Sequence, residues 1–291
     1  MTPPQAPPTT ERAARVKREV CWHGHLSVDT IDIAMTPEVG LPQPCGPSCV
    51  GPTVTVRLGA ASRTFVWGLS GHLASAAFWI ARTKDMPAGN GDHRLAGTLA
   101  GEVVACIVGG WGVKAEVGLA AYRELERAGI VRTDPPPEAA EVEDVLGRSF
   151  KVPGADGSVR YRFPSQRGGR VAAALRYLTE AERPPEDPRL LRAWLLGVPG
   201  VGPKTAAWIV RNRTGVNDVA IVDVHVRRAG IAAGFFDPDW RLPVDYDLFE
   251  RTFLAVATLG GVGAATLDAC IWQTLHRLGP QRWPALLGGR D

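Results

Sequence analysis

The sequence predicts a mostly helical protein of the α+β class, with a small antiparallel β-sheet near its N-terminus. Between residues 21 and 68, apolar and polar residues alternate in short segments, which is typical of strands buried on one face. From residue 73 onwards, apolar residues recur every three or four positions, which is typical of amphipathic helices. A chain of 291 residues with 45% hydrophobic residues can bury a substantial core.

The N-terminal third divides into two predicted regions. Residues 1–18 are rich in proline, threonine and charge, and we expect a flexible tail there. Residues 19–95 form the predicted β-containing region. Its strands are expected over Leu26–Ile33 and Thr53–Leu58, on either side of a loop rich in glycine and proline.

Residues 96–291 form the predicted helical core. Within it, an apolar helix ending at Leu196 and another beginning at Pro203 are separated by a short turn of glycines and prolines. Proline is well tolerated in the first turn of a helix, so the second helix can begin at once. This pattern predicts a helix-hairpin-helix motif over residues 188–213. In all, helices are expected over residues 73–82, 95–108, 114–128, 137–146, 168–179, 188–196, 203–212, 223–233, 246–259 and 264–278.

The hairpin has the features of an anion-binding turn. Gly200 and Gly202 lack side chains, so their backbone N–H groups can approach an anion closely. The N-terminus of the second helix adds the positive end of its dipole. A DNA phosphate is a suitable anion, and we expect Gly200, Gly202 and Thr205 to bind the DNA backbone.

Two residues near the hairpin have the properties of catalytic groups. Lys204 lies in the first turn of the second helix, where the helix dipole and apolar neighbours are expected to lower its pKa and free its amine for attack. Asp223 opens the next apolar helix, where a carboxylate can cap the helix and stay ionised. Such an anion can stabilise positive charge on a sugar carbon as a base departs.

The segment from residue 191 to 234 resembles the helix-hairpin-helix DNA glycosylases, and most of all the 8-oxoguanine DNA glycosylases. The resemblance rests on Gly200-Val-Gly-Pro-Lys204 and Val222-Asp-Val-His225. It implies a bifunctional glycosylase and AP lyase that acts through a Schiff base in base excision repair. It also implies two helical lobes following the sheet, Lys204 as the nucleophile on the deoxyribose C1′, Asp223 as the essential carboxylate and His225 as a phosphate contact.

The same resemblance bears on cofactors. It implies a K⁺ or Na⁺ ion held by the backbone carbonyls of Leu196, Val198 and Val201, and no cofactor required for the reaction. Zinc at Cys45 and Cys49 is not expected, because their spacing matches no common zinc pattern. The five cysteines are an odd number in a chain with no export signal, which argues against a disulfide framework.

The last predicted helix carries a candidate base pocket. Asp268 and Trp272 are four residues apart and therefore share a helix face. The pair resembles the polar and aromatic pair of the family's final helix, in its archaeal form, where the aromatic ring stacks on the flipped purine. The alternative is that Trp272 belongs to the core and that Asp268 is a cap or a surface residue.

The sequence departs from the family at residues 109–113, where relatives carry polar residues that fill the space left by the flipped base. Here Trp111 stands among glycines. It is a candidate aromatic wedge between base steps. The alternative is a packed turn residue.

The formal charge of +3 is too small to indicate nucleic-acid binding by itself, but basic residues crowd near the hairpin. They favour a face that grips the DNA backbone, with Arg167 as a candidate contact; a solvated helix face would explain some of them. The crowded residues are Arg160, Arg162, Arg167, Arg170, Arg176, Arg192, Lys204, Arg211 and Arg213.

These features predict a monomeric enzyme that acts on double-stranded DNA containing a damaged base. The chain shows no signal peptide and no apolar stretch of membrane-spanning length, so we expect a cytoplasmic, nucleoid-associated protein without membrane contact. Two alternatives remain open. One is a glycosylase for another modified base, with a different pocket. The other is a non-catalytic helix-hairpin-helix DNA-binding protein in which Lys204 only contacts phosphate.

Overall fold

A computed structural model describes residues 12–22, 25–36, 51–86, 93–132, 134–154, 156–217 and 219–284, with side chains from residue 51 onwards. Within these ranges it contains ten α-helices and six β-strands, which confirms the predicted mostly helical fold with small antiparallel sheets. The strands are β1 (Arg12–Trp22), β2 (His25–Thr36), β3 (Thr53–Leu58), β4 (Ala61–Val66), β5 (Ser149–Lys151) and β6 (Ser158–Arg160). The helices are α1 (Ala76–Lys84), α2 (Leu99–Val108), α3 (Ala115–Arg127), α4 (Ala139–Gly147), α5 (Pro164–Glu180), α6 (Pro188–Leu195), α7 (Pro203–Thr214), α8 (Val224–Ala232), α9 (Tyr246–Gly260) and α10 (Ala264–Leu278).

The larger sheet has the strand order β1-β2-β3-β4. Antiparallel pairing places Ile33 opposite Val56 and Val54 opposite Phe65. The strand β1 begins at Arg12 and so includes residues 12–18, which the sequence assigns to a tail. Its four basic residues before position 19 obscure the strand pattern in the sequence.

The chain forms two compact units. One boundary between them, after Val216, falls within residues 96–291, which the sequence predicts to be one helical core. The first unit combines most of the larger sheet and α1 with the chain from Asn217 onwards. Its buried cluster explains the division, because Val54 and Phe65 from the strands pack in one cluster with Phe236 and Phe253 from the C-terminal part. The β-strands therefore obtain their core from residues nearly two hundred positions later in the chain.

The second unit contains the helices from α2 to α7 and the small antiparallel sheet of β5 and β6. Its central helix is α2, which is buried at every position from Gly101 to Val108 and packs against α3, α5 and α7. A helix that is apolar all round is expected in such a position. In the described part of the chain, no single helix is long and apolar enough to span a membrane; α9 and α10 pass only as a pair, bent by 101°.

Candidate active site

The helix-hairpin-helix motif is formed by α6 and α7, as predicted. Asp187 caps α6 by accepting hydrogen bonds from two backbone N–H groups of the first turn. The connecting turn is closed by the Val201 N–H group, which donates to the Val198 carbonyl at 3.0 Å. Pro203 then occupies the first turn of α7, where its missing N–H group costs no helical hydrogen bond.

The two hairpin glycines serve different needs. Gly200 has a φ of +84°, and a Cβ atom there would lie 3.1 Å from the Cβ atom of Arg170, so both conformation and space favour glycine. Gly202 has an ordinary φ of −99° and precedes α7. A Cβ atom on Gly202 would meet no heavy atom of the described residues within 4 Å. The N-terminus of α7 is therefore accessible to an anion on this side.

Lys204 lies in the first turn of α7 and is half-buried. Its Nζ atom stands over the ring of Trp208, 4.2 Å from the ring centroid. The far edge of this indole lies against the end of α2. A Cβ atom on Gly109, the C-cap of α2, would lie 3.4 Å from the Trp208 Cη2 atom. Ala206 and Ala207 beside it are fully buried. The lysine amine therefore lies against an aromatic face.

A buried carboxylate anchors α7 from the other side. Glu102 of α2 is 0% exposed and accepts hydrogen bonds from the backbone N–H groups of Leu95 and Ala96 at 3.0 and 3.1 Å. The side-chain amide of Asn212, in the last turn of α7, donates to the same carboxylate at 2.7 Å. This pair was not predicted from the sequence. The signal for it was a single acidic residue within an otherwise apolar helix, which indicates a satisfied buried charge.

Cys106 lies near this carboxylate and is a buried free thiol. Burial raises the pKa of Cys106 well above its ordinary value, and Glu102 raises this pKa further, while Lys204 and Arg211 lower it. The thiol therefore stays protonated at neutral pH. Cys270 of α10 is likewise buried and free, and burial raises its pKa.

Asp223 is the N-cap of α8, as predicted. Its Oδ1 atom accepts hydrogen bonds from the backbone N–H groups of His225 and Val226 at 2.8 and 2.9 Å. The carboxylate is half-buried and fixed by these two bonds. His225 is also half-buried, and its imidazole ring packs edge-on against the indole of Trp283.

The candidate base-pocket residues Asp268 and Trp272 lie one helical turn apart on α10. The core face consists of Ala264, Leu267, Ile271 and Leu275. Asp268 is 4% exposed and Gly263 is the N-cap of α10, so the alternatives of a surface residue and of a cap are both wrong for Asp268.

Trp272, one turn further along α10, is half-buried and lies outside the buried cluster of its unit. Its ring stacks on the imidazole ring of His276, with centroids 4.6 Å apart and planes inclined by 11°. The alternative that Trp272 is a core residue is therefore wrong.

Trp111 is 82% exposed, so the alternative of a packed turn residue is wrong. The backbone at Trp111 is fixed by a hydrogen bond, which the Arg167 guanidinium donates to the Trp111 carbonyl at 3.1 Å. Tyr161 donates to the carbonyl of Val108, at the end of α2, at 2.6 Å. An exposed indole thus stands on a well-anchored loop.

Arg167 differs from its expected place on the surface, since it is only 7% exposed. Burial lowers the pKa of its guanidinium, and the nearby charge of Arg170 lowers it further, while Tyr161 raises it. The observed hydrogen bond of Arg167 is made to the loop that carries Trp111, and a phosphate contact stays a prediction. The sequence favours a DNA contact for Arg167 because it lies among the basic residues crowded near the hairpin. Arg192 of α6 is buried to the same degree.

The expected site for K⁺ or Na⁺ lies in the hairpin turn. Leu196, Val198 and Val201 lie together in the hairpin turn, between the end of α6 and the start of α7. Cys45 and Cys49 lie outside the described residues. Within the residues that are described, no group of three or more His, Cys, Asp or Glu side chains could hold a metal ion.

The fold is mostly helical and contains a helix-hairpin-helix motif. A lysine lies at the start of the second helix of this motif, and an aspartate caps the next helix. These features define the class of the helix-hairpin-helix DNA glycosylases. A family model described as 8-oxoguanine DNA glycosylase matches residues 95–258, which is more than half of the chain and includes Lys204 and Asp223. The chain belongs to the 8-oxoguanine DNA glycosylase family. The match ends before α10, so the candidate base pocket lies beyond it.

The solved structures that are similar to this chain include the following three. The 8-oxoguanine DNA glycosylase of Methanocaldococcus jannaschii is 22% identical, with a TM-score of 0.48 over 60% of this chain and 77% of that one. The glycosylase/lyase of the same organism, in complex with a 15mer DNA containing 8-oxoguanine, is 20% identical, with a TM-score of 0.47 over 69% and 89% of the two chains.

The third is a trapped endonuclease III–DNA covalent intermediate, an estranged-adenine complex. It is 19% identical to this chain, with a TM-score of 0.48 over 68% of this chain and 81% of that one. No curated protein sequence matches the chain significantly.

Proposed function

We propose that this protein is a bifunctional DNA glycosylase and AP lyase that excises 8-oxoguanine from duplex DNA. The observation that carries the proposal is the place of Lys204, in the first turn of the second hairpin helix and within the segment that matches the family. Lys204 is half-buried, with its Nζ atom over the indole ring of Trp208.

In this proposal the hairpin binds the DNA backbone. The open side of Gly202 lets a phosphate oxygen approach the N-terminus of α7, where the backbone N–H groups and the helix dipole favour an anion. Thr205 adds a hydroxyl donor in the same turn. His225 contributes a second phosphate contact from the first turn of α8.

The proposed chemistry proceeds in two stages. The amine of Lys204 attacks C1′, the C1′–N9 bond breaks, and the purine leaves with the bonding electrons and takes up a proton. The carboxylate of Asp223 stabilises the positive charge that develops on the sugar. The sugar ring then opens to a Schiff base between Nζ and C1′. A proton acceptor removes a proton from C2′, and the C3′–O bond breaks. Water releases Lys204 from the product.

The remaining predicted residues have supporting parts in this proposal. Asp268 reads the edge of the flipped base and Trp272 stacks on it, since the two side chains lie one turn apart on α10 and Trp272 is only half-buried. Trp111 enters the base stack from its anchored loop. The carbonyls of Leu196, Val198 and Val201 bind K⁺ or Na⁺, since uncharged oxygen donors suit these ions.

The decisive experiment uses a panel of duplexes, each with one labelled lesion, analysed on sequencing gels with and without hot alkali. We expect cleavage without alkali at 8-oxoguanine, on the 3′ side of the lost base. Cleavage only after alkali would leave a glycosylase without lyase activity. Cleavage at another modified base would replace the substrate, and no cleavage at any lesion would leave a DNA-binding protein.

A further inference from the structure

Trp283 connects two functional helices of the first unit. It follows the short 3₁₀ turn Pro280–Arg282 after α10 and is half-buried against the core. Its indole N–H group donates a hydrogen bond to the carbonyl of Leu275 at 2.7 Å, near the end of α10. The indole is therefore fixed to the helix that carries Asp268 and Trp272.

The ring of Trp283 contacts two side chains of α8. The His225 ring meets it edge-on, with centroids 5.0 Å apart and planes inclined by 85°. The Arg228 guanidinium stands over it, with its carbon 4.8 Å from the ring centroid. Residues 225 and 228 are three apart and therefore neighbours on one side of α8. Both geometries are favourable, since aromatic rings attract edges and cations at their faces.

His225 is thereby constrained at two points. Its backbone N–H group donates to the Asp223 carboxylate at 2.8 Å, and its side chain packs on Trp283. An imidazole without such packing would lose rotational freedom when it met a ligand, and this loss would weaken binding.

We propose that Trp283 is a positioning residue, which holds the His225 imidazole in its DNA-binding orientation and links the first turn of α8 to the base-pocket helix α10. The inference rests on the proposed phosphate contact of His225. Arg228 completes the arrangement by covering the indole. The sequence alone did not indicate this role, because Trp283 lies far from the hairpin in the chain.

A double-mutant cycle on undamaged duplex DNA tests the proposal. We expect Trp283→Leu to weaken duplex binding about 3- to 10-fold, as loss of an aromatic contact would. In the His225→Ala background the same substitution should have no further effect, because the group that it positions is gone. Additive losses would overturn the proposal, and so would unchanged affinity of either single variant.

Two further variants separate positioning from folding. Trp240→Leu is the matched control, because Trp240 is also half-buried against this core but packs on Phe236 and Phe249. It should lower Tm without changing duplex affinity. Trp283→Phe retains an aromatic ring but loses the N–H donor to Leu275, so its affinity should lie between those of the wild type and Trp283→Leu; an affinity no better than that of Trp283→Leu would overturn the proposal. Equal loss of affinity in Trp240→Leu would overturn the proposal.

NMR of the free protein supplies a readout that does not depend on catalysis. The His225 ring signals, assigned by their loss in His225→Ala, should shift in Trp283→Leu as the ring current disappears, and should stay unshifted in Trp240→Leu. Unmoved signals in Trp283→Leu would overturn the inference. If the wild-type protein cleaved no lesion, the proposed enzymatic function would fail, while the cycle and the NMR shifts would still decide the role of Trp283.

Discussion

The Nζ atom of Lys204 lies 4.2 Å from the ring centroid of Trp208, which is one helical turn further along α7. The helix that presents the proposed nucleophile therefore also supplies the surface on which its side chain rests. Such a contact between a cation and an aromatic face contributes about 0.5 to 1 kcal/mol at an exposed site and more when water is excluded. Two substitutions of Lys204 separate its charge from its nucleophilicity.

Lys204→Arg keeps a cation over Trp208 but removes the nucleophilic amine. We expect it to bind lesion-containing duplex about as tightly as the wild type, while borohydride added during turnover traps no protein on the DNA. Lys204→Ala should also give no trapping, with somewhat weaker binding. Trapped complexes with either variant would show that another amine forms the Schiff base.

Asp223→Asn removes the anion and keeps the cap. Asparagine caps helices about as well as aspartate, so the free energy of unfolding should change by less than about 0.5 kcal/mol. Base excision in single-turnover assays should fall about 10²- to 10³-fold, as is typical when a group that stabilises transition-state charge is lost. The matched control is Asp187→Asn, because Asp187 caps α6 through the same two types of backbone bond. Similar excision rates in the two variants would reduce Asp223 to a helix cap.

Trp272→Ala should weaken binding to lesion-containing duplex by about 1 to 3 kcal/mol, as for other aromatic side chains that stack on bases, with less loss on undamaged duplex. Asp268→Ala should narrow the difference in excision between oxidised and normal guanine, because it removes a group that reads the base edge.

The control for this pocket is Ile271→Ala, on the core face of the same helix and 0% exposed. It should destabilise the fold by about 2 to 5 kcal/mol and leave lesion preference unchanged. If Trp272→Ala behaved like this control, the pocket would have to be placed elsewhere.

Trp111→Ala tests the wedge. With 82% of its surface exposed, the side chain contributes little to the fold, and Tm should stay unchanged. Base eversion, followed by the fluorescence of 2-aminopurine placed beside the lesion, should become slower or less complete. Val244→Ala removes a side chain that is 85% exposed in the other unit and should leave eversion as it is. Normal eversion by Trp111→Ala would contradict an aromatic wedge.

Tyr161 makes stability depend on alkaline pH. Burial raises the pKa of Tyr161 to about 12, although Arg167 acts in the opposite direction. Between the ordinary pKa of about 10 and the raised value, the unfolded chain releases a proton that the native protein retains. The free energy of unfolding should therefore fall as pH rises through this window.

Urea unfolding at about pH 9 and about pH 11 measures this effect. Tyr161→Phe lacks the ionisable hydroxyl, so the stability advantage of the wild type over this variant should shrink between the two pH values. An advantage that stayed constant would show that Tyr161 ionises alike in both states.

The parts of the fold that the sequence predicts depend on local signals. The hairpin turn, the cap at Asp223 and the ten helices follow from glycine and proline positions and from apolar spacing over a few residues. The strand β4 was missed because only Phe65 among its six residues is buried, which leaves no alternation to read. The strands β5 and β6 have three residues each, too few for a pattern.

Long-range packing accounts for the rest. Arginine is usually exposed, so a buried Arg167 bound to a carbonyl 56 positions away gives no local signal. Glu102 and Asn212, which are 110 positions apart, form their hydrogen bond only after α2 and α7 pack together. The division at Val216 likewise arises because the strands share a core with the C-terminal helices.

The bond from Arg167 to the Trp111 carbonyl also bears on the kinetics of association. A loop that is mobile in the free protein must become ordered during an encounter, and many collisions then fail. Here the peptide beneath an exposed indole is already fixed by a guanidinium within the body of the second unit. If Trp111 is the proposed wedge, its loop needs no ordering during an encounter, so the rate of productive association should be set by the deformation of the DNA rather than by the loop.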